Sequence, residues 1–357
     1  MTITREAEPG EAQLMTETRW TRRHLLDVED LLPAELNRLL NLAHEMRNSL
    51  DGVAEPPEHD LRGFMIALLF AEPSTRTRLS FEIAARNLAA ETFVLTAAGS
   101  SLVKGETLTD TARVLNALGV DMLVLRHHRS GAPWVAARHF GGSVVNAGDG
   151  WHAHPTQALV DLFTLRSAWT AESVSGRKIV IVGDLLHSRV ARSNVWTLTA
   201  DGADVWLCGP RSLLRGFDDL ARALPGGRRL TVTDDLPAAL RDAEAVMALR
   251  IQRERMSSAA MSPTEYVSAY RIDERRMMLA RPDARFLHPG PVNEGIEVTR
   301  GVATGPRSLV LEQVRNGVPV RMAVLSLLAQ GAPAAAQAAG SQTTGSQATL
   351  DRSSVRR

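Results

Sequence analysis

Glu72-Pro-Ser-Thr-Arg-Thr-Arg78 gathers three hydroxyls and two guanidiniums into one short stretch. It follows the apolar run Phe64-Met-Ile-Ala-Leu-Leu-Phe70 and opens a segment of helical spacing. A helix N-terminus carries unpaired N–H groups and a partial positive charge. Ser74, Thr75, Thr77 and Arg76 added to it make a compact cradle for a phosphate-like oxyanion. Ordinary capping needs one hydroxyl, and this motif has three with arginines between them. The glycines of a Walker loop or a dinucleotide fingerprint are absent.

Other segments bear groups suited to a small polar ligand. In His154-Pro-Thr-Gln157, imidazole and carboxamide fall three residues apart at a helix start, so they share a face. Together they can meet a planar group with C=O and NH2, although a cap alone would also account for His154. His152 and His154 have no nearby cysteine or carboxylate completing a recognisable metal set. Arg126 ends strand 121–126, Arg189 follows Gly183-Asp-Leu-Leu-His-Ser and Arg250 follows strand 245–249, beyond the strand ends where ligands of open α/β sheets bind. Three arginines so placed point to a polyanionic substrate. Ser100-Ser-Leu-Val-Lys104-Gly-Glu could be no more than a surface loop, and His288-Pro-Gly-Pro291 no more than a turn. Gly183-Asp184 weakly resembles a nucleotide-binding turn.

The elements that would position these groups alternate along the chain. Helical spacing covers 31–50. Strand 64–70, helix 74–90, strand 92–96, helix 107–118, strand 121–126, helix 132–140 and strand 143–146 follow in turn. A helix from Pro155 to Trp169 leads to a second set, with strands at 178–182, 204–207, 230–232, 245–249 and 285–287. This rhythm predicts two doubly wound α/β domains with parallel sheets, joined by helices. The expected divisions are a flexible arm at 1–20, a first domain at 21–154 and a second at 155–307. C-terminal helices at 308–330, interrupted at Gly317-Val-Pro319, return to the first domain before a disordered tail at 331–357.

Composition narrows the setting. Of 357 residues, 41 are Lys or Arg and 40 are Asp or Glu, a net charge of +1. That balance argues against nucleic acid or an anionic membrane as partner. Only Lys104 and Lys178 are lysines, which leaves 41 − 2 = 39 arginines. The single cysteine, Cys208, lies in a strand-like run and suits a reducing compartment. No run of about 18 apolar residues suggests a membrane span, and no signal core is visible near the N-terminus, where Met15 could be the true start. A cytoplasmic protein is expected.

Taken in order, these segments resemble the catalytic chains of the aspartate branch of the aspartate/ornithine carbamoyltransferase family. The matching motifs are Ser-Thr-Arg-Thr-Arg at 74–78, Lys-Gly-Glu-Thr at 104–107, Arg126-His127 and His-Pro-Thr-Gln at 154–157. Gly-Asp-Leu…Ser-Arg at 183–189, Arg250-Ile-Gln252 and His-Pro-Gly-Pro at 288–291 complete the series. Ornithine enzymes carry a cysteine where this chain has Pro289.

The resemblance implies transfer of the carbamoyl group of carbamoyl phosphate to L-aspartate, an early step of pyrimidine biosynthesis, with no cofactor or metal. It implies that Ser74, Thr75, Arg76 and Thr77 hold the phosphate. Thr77, Arg126 and His154 would address the carbonyl oxygen. Gln157 and the carbonyls of Gly290 and Pro291 would orient the NH2. Arg189, Arg250 and Gln252 would bind the aspartate carboxylates. Lys104 and a serine, assigned as Ser101 over Ser100, would reach in from an adjacent subunit of a homotrimer, with the active site in the cleft and at that interface. Larger complexes with regulatory or dihydroorotase chains are two further settings the family offers. The alternatives are a carbamoyltransferase for another amino acid and, from a different class, a nucleotide-binding regulatory module.

Overall fold

The computed structural model describes residues 20–55, 60–96, 106–251 and 262–340. After α1 (Pro33–Leu50) come β1 (Met65–Phe70), α2 (Thr75–Asn87), β2 (Glu91–Thr96), α3 (Leu108–Ala117), β3 (Met122–His127), α4 (Ala132–His139) and β4 (Ser143–Asp149). These strands pair in parallel in the order β2-β1-β3-β4. β1 and β3 are apolar almost throughout because helices cover both faces of the sheet. The expected strand at 143–146 extends to Asp149, carrying Gly148 and Asp149 toward the cleft.

α5 (Pro155–Trp169) leads to the second sheet. Its residues from Pro155 to Arg166 are buried apart from Gln157, which is half-buried, as befits a helix apolar on nearly every side. β5 (Lys178–Val182), α6 (Arg189–Ala200), β6 (Asp204–Cys208), α7 (Phe217–Ala223), β7 (Arg229–Thr233), α8 (Leu236–Leu240) and β8 (Ala245–Ala248) follow. The set ends with α9 (Pro263–Tyr270), α10 (Glu274–Met277), β9 (Arg285–Leu287) and α11 (Arg300–Ala303). The strand order is β7-β6-β5-β8-β9, again parallel. Cys208 is buried in β6 as a free thiol. Burial pushes that thiol up to about 12, so its role is packing.

Three expectations at the chain ends need correction. The break expected at Gly317-Val-Pro319 does not occur: α12 runs unbroken from Val310 to Gly340. Proline removes one N–H from the helical ladder. The helix packs against α1, α2 and α5 and buries Val320, Val324, Leu325, Leu327 and Leu328, so tertiary packing outweighs that loss. Residues 331–340, expected in a disordered tail, continue this helix. Trp20, expected in the flexible arm, is buried, with its indole N–H donating to the Arg22 carbonyl at 3.0 Å. A side chain at Gly331 would collide with that same Arg22 carbonyl oxygen, so the end of the arm packs closely on the helix. Residues 1–19 and 341–357 lie outside the described residues.

Each sheet has one place where successive strands lie on opposite sides of a starting strand, between β1 and β3 and between β5 and β8. In doubly wound sheets that reversal opens a crevice at the carboxyl ends of the strands. Here both crevices open into one cleft of about 610 Å³.

Candidate active site

From β1 the chain turns through Glu72 and Pro73 into α2. Ser74 stands at the N-cap in extended backbone, and its hydroxyl makes no capping bond. That leaves the hydroxyl available to a ligand. Thr75, Arg76 and Thr77 follow in the first turn, and all four line the cleft. Arg76 lies across the backbone of Gly290 (φ +70°), where a side chain would come within 3.4 Å of the guanidinium.

Arg126 enters from the end of β3 and Arg189 from the first position of α6. Glu72 joins them. Arg126 Nη2 donates to Glu72 Oε1 at 2.8 Å, Arg189 Nη1 donates to Oε2 at 3.1 Å, and Arg189 Nη2 also meets Oε1. Burial raises the Glu72 carboxyl, but the Arg189 and Arg126 guanidiniums outweigh it and hold the group below its ordinary range. Gly148 makes room for this arrangement. A Cβ there would lie 3.1 Å from Arg189 and 3.2 Å from Arg126, at a φ of +117° that side chains rarely adopt.

His154 begins α5 and is buried at the cleft wall. Burial, followed by the charges of Arg126, Arg189 and Arg321, drives its pKa well below the ordinary imidazole value, so the ring is neutral. Arg126 Nη1 lies 3.5 Å from His154 Nε2. Because a guanidinium can only donate, Nε2 is the acceptor in that contact. The other nitrogen, Nδ1, is buried without a hydrogen-bond partner among the described residues. Gln157, one turn on, donates Nε2 to Asp161 Oδ1 at 2.8 Å.

Arg250 lies just past β8 on the opposite wall, beside Leu249. His187 reaches the cleft next to Arg189, its Nδ1 held 2.8 Å from the buried Asp184. The His288-Pro-Gly-Pro291 turn forms another side. His288 Nδ1 accepts from the Gly290 N–H at 2.9 Å, so its Nε2 donates to Glu297 at 3.2 Å.

The structure therefore gathers Ser74, Thr75, Arg76, Thr77, Arg126, His154, Gln157, Arg189, Arg250, Gly290 and Pro291 around one cleft. Ser100, Ser101, Lys104 and Gln252 fall outside the described residues. Sequence reasoning assigned no part to Glu72, His187, Gln313 or Arg321, which also line it. A carboxylate opening an otherwise basic motif was the available signal for Glu72. For Arg321 it was a lone charge inside the apolar run that closes α12.

Among the described residues, five arginines (Arg76, Arg126, Arg189, Arg250 and Arg321) and one carboxylate, Glu72, line the cleft. Such a site can bind several anionic groups side by side, and the neutral His154 adds a polar, uncharged group to its wall. Among the described residues no group of His, Cys, Asp and Glu is arranged to hold a metal ion.

Known proteins resemble this chain along most of its length. The family model for the aspartate/ornithine carbamoyltransferase carbamoyl-P binding domain matches residues 23–167, and that for the Asp/Orn binding domain matches 175–328. The aspartate carbamoyltransferase catalytic subunit of Roseiflexus sp. (strain RS-1) is 49% identical over 305 residues, covering 85% of this chain and 94% of that one. Ornithine carbamoyltransferase from Pyrococcus furiosus superposes with a TM-score of 0.76 at 29% identity, covering 85% of this chain and 96% of that one. Aspartate transcarbamoylase from Trypanosoma cruzi, in complex with N-(phosphonacetyl)-L-aspartic acid, superposes with a TM-score of 0.74 at 30% identity, covering 85% and 94%. With both domain models matched and the curated relative nearly half identical, the chain belongs to the aspartate/ornithine carbamoyltransferase family.

Proposed function

We propose that this chain transfers the carbamoyl group of carbamoyl phosphate to the amino group of L-aspartate, giving N-carbamoyl-L-aspartate and phosphate. The observation that carries the reading is the charge of the cleft: among the described residues, five guanidiniums against one carboxylate leave a surplus of four positive charges. A phosphate dianion and the two carboxylates of aspartate supply as many negative ones. The Trypanosoma cruzi relative is solved with a molecule that joins a phosphonate to aspartate, the same set of charges. Family membership supports the same reaction class.

In this mechanism Ser74, Thr75, Arg76 and Thr77 receive the phosphate at the start of α2. Thr77, Arg126 and the neutral His154 face the carbonyl oxygen. Gln157 and the carbonyls of Gly290 and Pro291 accept from the carbamoyl NH2. Arg189 and Arg250, with Gln252, take the aspartate carboxylates, and Glu72 must yield part of its hold on Arg189 as they arrive. The neutral amine attacks the carbamoyl carbon and forms the new C–N bond. Negative charge gathers on the carbonyl oxygen in front of the Thr77 hydroxyl and the Arg126 guanidinium, the donors of this set. The C–O bond to phosphate then breaks, and the departing phosphate takes the proton the amine loses. Holding both substrates in line removes much of the entropic barrier, about 7–11 kcal/mol in well-oriented cases. In this reading residues 21–154 form the carbamoyl phosphate domain and 155–307 the aspartate domain, with helix 308–330 returning to the first.

We further propose a homotrimer in which Ser101 and Lys104 of one chain complete a neighbour's site. Their segment joins the edge strand β2, where Phe93 and Val94 are exposed, to α3, where Val114 is exposed, as is Leu118 just past its end. An apolar edge of that kind is usually covered by another chain. A cytoplasmic location is in keeping with the buried free thiol of Cys208.

Incubating the purified chain with carbamoyl phosphate and either L-aspartate or L-ornithine tests the substrate. Carbamoylaspartate and no citrulline is the expected product, and citrulline alone would assign the chain to the ornithine branch, which the Pyrococcus likeness makes the second reading. Mixing inactive Lys104→Ala with inactive Arg76→Ala chains should restore about a third or less of the activity if sites are shared, an estimate following from shared-site geometry in closed rings. Absence of recovery in mixed trimers would remove the shared site.

A further inference from the structure

Asp161 interrupts the apolar face of α5, in Ala158-Leu-Val-Asp-Leu-Phe163, and is wholly buried. Its carboxylate is met from three helices. Oδ1 accepts from Gln157 Nε2 at 2.8 Å and from Gln313 Nε2 of α12 at 2.7 Å. Oδ2 accepts from Asn194 Nδ2 of α6 at 2.8 Å. All three partners are carboxamides, and all three donate.

A carboxamide can present either its NH2 or its oxygen, but a carboxylate accepts only the NH2. Asp161 therefore turns the oxygens of Gln157 and Gln313 away from itself. The Gln313 oxygen accepts from the His288 N–H at 2.9 Å, and His288 Nδ1 in turn accepts from the Gly290 N–H at 2.9 Å. This fixes the 288–291 turn from behind. Gln157, with its nitrogen engaged, is left with an oxygen for the cleft that it lines. One buried carboxylate thus orients both features assigned to the carbamoyl NH2.

We infer that Asp161 is a positioning residue that makes the cleft select an acyl phosphate bearing NH2, by holding Gln157 and Gln313 in one of their two carboxamide orientations. Released from Asp161, Gln157 is free to present NH2 to NH2, two donors with nothing between them. The inference rests on carbamoyl phosphate as substrate and deepens that reading.

Two stable probes isolate the effect. Phosphonoacetamide carries the NH2, and phosphonoacetone replaces it with a methyl group of similar size. Titration calorimetry should give the wild-type chain a clear preference for the amide. Asp161→Leu should lose about tenfold of that preference, the worth of one well-made hydrogen bond, while affinity for inorganic phosphate stays unchanged. Gln313→Met leaves the carboxylate in place, guards against misfolding of the first variant, and should lose about threefold. Folded variants that keep the full preference, or lose amide, ketone and phosphate affinity together, would overturn the positioning role alone. A wild-type chain that binds phosphate but neither prefers the amide nor turns over carbamoyl phosphate would overturn the substrate assignment and this inference together.

Discussion

Two carboxylates in this molecule each gather partners from separate elements, and they do so in opposite ways. Glu72 is half-buried at the cleft and held by guanidiniums, which depress its pKa. Asp161 is sealed beneath the cleft and held by neutral amides, and burial pushes its carboxyl up to about 6 despite their hydrogen bonds and the charge of Arg321. Charge partners are strong but will serve any anion, so an arriving substrate can compete for them. Amide partners are weaker and directional, so they fix which atom faces where. The first arrangement suits exchange with substrate and the second suits orientation.

The largest expected effect lies on the charged side. Arg126→Ala removes the guanidinium that links Glu72 to His154, and kcat/KM should fall roughly 10²–10³-fold, as for loss of an oxyanion donor. Near-normal turnover of that variant would break the contrast at its first member.

Next in size is the response to pH, where the two carboxylates should act with opposite sign. The folded pKa of Asp161 lies above its ordinary 3.8, so the folded chain holds the extra proton between about pH 4 and 6. Its contribution to stability is present below that window and is lost as pH rises through 6, a change of order 1–3 kcal/mol. The folded pKa of Glu72 lies below its ordinary 4.5, so its contribution is present above that value and is lost as pH falls further. Melting curves of the wild type against Asp161→Asn and Glu72→Gln across pH 3.5–7 would read the two slopes, with pH points chosen about the ordinary carboxylate values. Slopes of the same sign would erase the distinction.

How much of this was legible in the sequence follows from the same contrast. Ser74, Thr75, Arg76 and Thr77 are adjacent in the chain, and one strand end followed by one helix start was enough to read them as an anion cradle. Arg126 and Arg250 were legible because each ends or follows a recognisable apolar run, and Arg189 because it closes the turn that follows strand 178–182. The Asp161 network was not, because Gln157, Asn194 and Gln313 come from three helices whose meeting is a tertiary fact. The trace it left was a single acid in an apolar stretch. Proline at 319 misled for a related reason: its local preference is real, but burial of α12 on both sides of it decides the outcome.

A smaller test concerns competition at Glu72. With the carboxylate neutralised, Glu72→Gln should bind inorganic phosphate about fivefold tighter, near 1 kcal/mol. Weaker binding would mean that Glu72 organises the guanidiniums rather than occupying them. The smallest effect is expected at Ser74, whose hydroxyl makes no cap bond. Ser74→Ala should change stability by less than about 0.5 kcal/mol, where loss of a working cap costs about 1. Its measurable consequence should be weaker phosphate affinity instead.

The chain passes between its two halves twice, outward along α5 and back along α12. Bodies joined at one point can swing and twist, whereas bodies joined at two can only fold about the line between the joints. Asp161 lies on the outward passage and is bonded to Gln313 on the return. It therefore sits near the axis of any such folding, where displacement is least. Whatever the walls of the cleft do as they open and close, the carboxamides bonded to Asp161 keep their bearing.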